Sequence, residues 1–236
     1  MLHDEKPLPL SEILAELNRK FTSNLQSSAQ YAGLAQSQEV QGRRFCVTRN
    51  YLEEAARRPH EKAIAVEFDE IFGDSISSLY LAFCGLDNPA RMLTRRALEL
   101  GLVLICYWDR PAEYWGWKSH DDDVSFSKLL QYLNTPGYLT LLDSEGNART
   151  GAMTERLATL PSLYSKLSNV VHPKPYHFET GHPQAFEFTE ADLRKTLALL
   201  LEAQAAVLDL LISRFPLLQA RFDTEAPLIQ VSQLKV

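Results

Sequence analysis

Between Glu190 and Phe215 the chain places leucines and alanines on more than one face of any helix it forms, and Pro216 then stops it. A helix with a single apolar stripe lies on a core, whereas one that is apolar on several faces has to be enclosed. Thr189, followed by Asp192 three residues later, supplies the cap that opens it. A second stretch makes the same demand. Asn88 and Pro89 read as the cap and first turn of a helix running to about Tyr107. It begins mixed, with Arg91, Arg95, Arg96 and Glu99, and turns almost wholly apolar from Leu100 to Cys106. These stretches predict an all-α, single-domain helical bundle in which Pro89–Tyr107 and Glu190–Phe215 form a hairpin core. A helix from Met153 to Val171, interrupted or restarted at Pro161, is the expected third wall.

The remaining elements are read around that core. A first helix starts near Ser11, with Ile13, Leu14, Leu17 and Phe21 at helical spacing. The Gln-, Ser- and Ala-rich stretch from Gln26 to Gln38 has few large apolar groups and reads as a solvated helix end or a linker. A helix over Arg49–Arg58 is stopped by Pro59, and from Asp74 a face of Ile76, Leu79, Tyr80, Phe83 and Cys84 leads to Gly85. Trp108 to Trp117 holds all three tryptophans around Pro111 and predicts an aromatic elbow. A short helix over Phe126–Leu133 ends at Pro136-Gly137, Asp143 to Thr150 is a surface connection, and His172 to Phe188 reads as an extended loop or hairpin insertion. Residues 1–61 are expected to form an N-terminal helical arm and residues 62–236 the bundle, together one compact unit.

Composition narrows the function classes. The net charge of −6 argues against a surface given over to neutralising phosphates, so DNA is not an expected partner. Cys46, Cys84 and Cys106 are odd in number and dispersed, two of them in apolar runs, which is the usage of buried thiols in a reducing compartment. No apolar leader and no run of ~18 apolar residues is present, so a cytoplasmic protein without a membrane span is expected. There is no Gly-rich phosphate loop, no Gly-x-Ser-x-Gly and no His-Glu-x-x-His.

Chemistry concentrates in Leu163–His172. At about 100° per residue, Ser165, Ser168 and His172 share one helix face. A histidine beside two hydroxyls suits general-base catalysis or phosphate binding; the same histidine at a helix end also suits capping of the last carbonyls. Arg95, Arg96 and Glu99 are spaced for an ordinary surface ion pair, or for completing a polar site with the His172 helix. His172, His177 and His182, with Glu179, match no zinc signature, and the consecutive aspartates after His120 point in different directions. No metal and no cofactor are expected. Trp108, Trp115 and Trp117 suit base stacking in isolation, but the acidic run beside them favours packing.

Arg95-Arg96-Ala97-Leu98-Glu99 on a core helix, followed by Tyr164-Ser165-Lys166-Leu167-Ser168 and His172, resembles the HEPN superfamily of helical bundles found in bacterial defence and toxin systems. The likeness covers Asp74 to His172. It implies an RNA-cleaving site in which an arginine holds the phosphate and a histidine four to six residues later takes part in backbone cleavage, across a dimer. Here the position six before His172 is Lys166, and no arginine lies in the window. Lysine supplies charge without a bidentate fork. The resemblance therefore implies a catalytic set of His172, Lys166, Ser168, Arg95, Arg96 and Glu99, with RNA as substrate. The alternative is a catalytically silent helical subunit that contacts a protein partner or a second copy through its Leu-rich last helix or its aromatic elbow.

Overall fold

The computed structural model describes residues 9–119, 124–145, 150–169 and 188–227. Every regular element among them is helical: α1 (Leu10–Ser28), a 3₁₀ segment (Ala29–Ala35), α2 (Gln36–Ala55), α3 (Pro59–Phe83), α4 (Asp87–Trp108), α5 (Pro111–Lys118), α6 (Phe126–Leu133), α7 (Pro136–Ser144), α8 (Thr150–Ser168), α9 (Glu190–Arg214) and α10 (Leu218–Glu225). The fold is the expected all-α, single-domain bundle.

α4 sits at its centre, packed on α3, α9, α8 and α6. Leu98, Leu102, Leu104, Ile105 and Cys106 are all at most 1% exposed, which explains the near-uniform apolarity of that half of the helix. The hairpin lies elsewhere than expected. α3 and α4 form it, turning at Gly85, whose φ of 73° lies in the left-handed region. There Gly85 N–H donates to the Ala82 carbonyl (3.0 Å) and Leu86 N–H to that of Leu81 (2.9 Å), closing the end of α3. α4 and α9 instead run parallel, because Asp87 meets Thr196, Gly101 meets Val207 and Asp109 meets Arg214. Their closest approach is at Gly101, where an added Cβ would stand 2.6 Å from a Val207 methyl. α8 lies antiparallel to α9, with Arg156 against Asp209 and Lys166 near Glu202. α9 is long and apolar enough to cross a membrane, yet 72% of its apolar window is buried in the bundle.

Several boundaries move. The stretch from Gln26 to Gln38 is helical and packed: Ser28, Ala35 and Gln38 are buried. Its polar groups serve the backbone of neighbouring elements. Ser28 Oγ donates to the Phe83 carbonyl (2.9 Å), Gln38 Nε2 to that of Leu197 (3.0 Å), and Gln204 Nε2 returns a bond to the Gln38 carbonyl (3.1 Å). Prolines open helices here more than they close them. Pro59 and Pro136 are first-turn residues of α3 and α7, where a missing N–H has no partner to lose. α3 thus begins 15 residues ahead of Asp74, burying Ile64, Phe68 and Ile71. Pro161 lies inside an unbroken α8, on its exposed side. Leu86, not Asn88, occupies the cap position of α4, and Pro89 still falls in its first turn. α2 contributes Phe45, Val47 and Leu52 to the same core as α3, α4 and α9, so residue 61 falls within the packed part of the fold. The expected aromatic elbow is present as α5 turning away from α4, with Tyr114 fully buried between His60, Trp115 and Trp117. The expected insertion from His172, and the histidines His120, His172, His177 and His182, lie outside the described residues.

Candidate functional site

The polar half of α4 meets α8, as the sequence pattern anticipates, but through a different residue. Arg95 and Glu99, one turn apart on α4, both reach Tyr164 on α8. Tyr164 OH donates to Glu99 Oε1 (2.7 Å) and accepts from Arg95 Nη2 (2.5 Å), while Arg95 Nε donates to the same Glu99 oxygen (3.0 Å). The three side chains form a closed triangle, and the guanidinium carbon lies 4.6 Å from the Tyr164 ring centroid. Phe126 from α6 stacks on that ring at 3.9 Å and 12°. Partial burial raises the Tyr164 phenol above its ordinary value, and its bond to Glu99 raises it further, so it stays a protonated donor at neutral pH.

Arg96 and Ser168 are also hydrogen-bonded within the bundle. Arg96 turns to the opposite side of α4, donating to both oxygens of Asp74 (2.6 and 2.8 Å) and to Glu70 (2.6 Å) on α3. Residues adjacent in sequence diverge by about 100° on a helix, which sends Arg96 to α3 while Arg95 reaches α8. Ser168 is 6% exposed and donates to the Tyr164 carbonyl one turn back (2.7 Å). Lys166 projects from α8 with its ammonium 3.9 Å from Glu202 on α9. His172 lies outside the described residues.

Sequence reasoning missed two features. The first is Arg91, one turn before Arg95, whose Nη2 donates to the Lys166 carbonyl (3.2 Å) and whose Nε is buried without an acceptor. Its i, i+4 spacing to Arg95 was the available signal. The second lies at the far end of α4. Arg214 of α9 grips Asp109 through two parallel bonds (2.9 and 2.7 Å) and holds Glu145 with its third nitrogen (2.6 Å). Burial disfavours the Arg214 charge, but the bonds to Asp109 outweigh it and leave the guanidinium more basic than usual. Around this pair, burial pushes the Tyr132 phenol up to about 12 and raises the Tyr138 phenol and Cys106 thiol well above their ordinary values. No signal in the sequence joins residues 105 positions apart.

Among the described residues no three His, Cys, Asp or Glu side chains gather to hold a metal ion. No protein-family model, curated protein or solved structure matches the chain.

Proposed function

We propose that this chain is a HEPN-like helical subunit that acts by contacting a protein, in a bacterial defence or toxin system of the kind its resemblance implies. One observation carries the choice of binding over catalysis. Four of the five described residues expected to handle a phosphodiester are already hydrogen-bonded within the chain, Arg95 and Glu99 to Tyr164, Arg96 to Asp74 and Glu70, and Ser168 to a backbone carbonyl, while Lys166 is exposed with its ammonium 3.9 Å from Glu202. A phosphate would have to break those bonds while facing Glu99. The buried thiols of Cys84 and Cys106 suit a reducing, cytoplasmic setting.

A second reading, RNA cleavage, is favoured by Arg91. Its Nη2 donates to the Lys166 carbonyl and its buried Nε has no acceptor, which puts an arginine beside the Lys166 position where the sequence motif has none. Incubating the purified protein with structured and single-stranded RNA separates the two. The subunit reading predicts no cleavage, together with a protein partner held at fixed stoichiometry through gel filtration. Cleavage that disappears in both His172→Ala and Arg91→Ala, with the melting temperature unchanged, would establish the enzyme reading instead.

A further inference from the structure

Where α4 gives way to α5, the elbow and α6 leave between them a cleft of about 390 Å³. Ligand pockets run from about 300 to 1,000 Å³, so this one suits a small molecule. Val124 and Leu129 supply an apolar wall, and Arg110, Glu113 and Lys128 supply the charges. Arg110 is held in place before anything binds. Its guanidinium carbon lies 4.5 Å from the Tyr132 ring centroid and 6.0 Å from that of Tyr107, and its Nε and Nη2 both donate to Glu113 Oε1 (2.9 and 2.5 Å). Those bonds use one edge of the planar group. The other edge, Nη1 with the second Nη2 hydrogen, has no partner among the described residues. Lys128, exposed on α6, forms no ion pair among them either.

We propose that this cleft binds a small organic phosphomonoester, its phosphate on Arg110 and Lys128 and its apolar body against Val124 and Leu129, a binding activity separate from the protein-contact reading above. The open guanidinium edge offers two parallel N–H bonds, which a carboxylate or a phosphate accepts together. A carboxylate spends both oxygens on that edge. A phosphomonoester keeps a third terminal oxygen for the Lys128 ammonium, and a second negative charge to match it. An RNA phosphodiester has only two terminal oxygens and one charge. Because Arg110 is already ordered by Tyr132 and Glu113, binding it costs less entropy than binding a free side chain. Glu113 in the same cleft, and Asp121–Asp123 immediately before Val124 in the sequence, oppose an anion. Affinity is therefore modest, with a Kd on the order of 0.1–1 mM.

The test is an amide NMR titration of the full chain with phenyl phosphate, inorganic phosphate and benzoate, at a pH of about 7.5 so that the phosphates are mostly dianions. Phenyl phosphate should saturate a single site. Inorganic phosphate, which lacks the apolar body, and benzoate, which lacks the third oxygen, should each bind at least about tenfold more weakly. Arg110→Lys keeps the charge and loses the fork, and Lys128→Gln removes an exposed ammonium. Each should weaken phenyl phosphate at least about tenfold, with the melting temperature unchanged in Lys128→Gln. Should Arg110→Lys disturb the elbow, Lys128→Gln alone decides. The proposal is overturned if phenyl phosphate gives no saturable shift up to roughly 20 mM. It is equally overturned if saturation is unchanged in Lys128→Gln, or if inorganic phosphate or benzoate binds as tightly as phenyl phosphate.

Discussion

Two arginines anchor α4, Arg95 near its middle and Arg214 just past its last turn, and they are built differently. Arg214 is 8% exposed and joins the last turns of two core helices through a bidentate pair with Asp109, itself 12% exposed. Arg95 is 20% exposed and pairs with Glu99 on its own helix, reaching α8 through the hydroxyl and ring of Tyr164. The elbow-end pair bridges elements far apart in sequence and is dry. The α8-end triangle is local, wetter and shared with a neutral group. Removing one partner of a buried pair strands a charge in low dielectric, whereas a partly exposed i, i+4 pair is more screened and more readily replaced by water. The first is therefore structural, and the second is where the surface has latitude to change.

That distinction is open to direct attack. Arg214→Met should cost about 3–5 kcal/mol in chemical denaturation, by leaving Asp109 buried and unpaired. A loss no larger than that of an exposed pair would erase the contrast. Midway between Arg95 and Asp109, Gly101→Ala should cost about 1–3 kcal/mol, since its Cβ meets Val207 and only backbone movement relieves the clash. Glu61, at the elbow end of α3, probes the same region by pH. Burial pushes its carboxyl up, but the N–H groups of Arg57 and Arg58 and the Arg58 guanidinium pull it further down, to a net value below 4.5. A carboxyl depressed in the folded state stabilises fully above its unfolded pKa and loses that contribution as pH falls through the folded one. Glu61→Gln should thus cost about 1–3 kcal/mol at neutral pH, with the gap to wild type closing in acid. A gap that widens below pH 4.5 would reverse the assignment. The smallest effect belongs to Tyr164→Phe, about 0.5–1.5 kcal/mol, because Arg95 and Glu99 retain each other. A loss matching that of Arg214→Met would make the α8 end structural too.

The bundle was legible because enclosure leaves a local mark. Leu100–Cys106 is apolar on all sides and Glu190–Phe215 on more than one face, and both supply the buried centre. The polar segment around Gln38 was not legible, because the Gln38 amide bonds a backbone carbonyl of α9 that only the fold brings near. The prolines misled for a local reason: Pro59 and Pro136 carry the same restriction whether they end one helix or begin the next. At the candidate site, α4 and α8 do meet as the Arg95 and Ser168 regions suggested, but helix phase sends Arg96 away and brings Tyr164 in. The direction of α9 relative to α4 was hidden altogether, since periodicity reports which face is buried and not which way the partner runs.

That direction has a consequence for how the chain is made. Parallel neighbours cannot be joined by a tight turn, and the chain travels from Asp109 to Glu190 before α9 can lie beside α4. α2, α3 and α4 are contiguous and emerge from the ribosome well ahead of α9, so the Leu100–Cys106 surface waits for a cover synthesised some eighty residues later. Closing so long a loop is slow compared with forming the α3–α4 hairpin. In that interval the nascent chain presents its stickiest surface to solvent, and fragments ending ahead of Glu190 should be clients of chaperones or form aggregates.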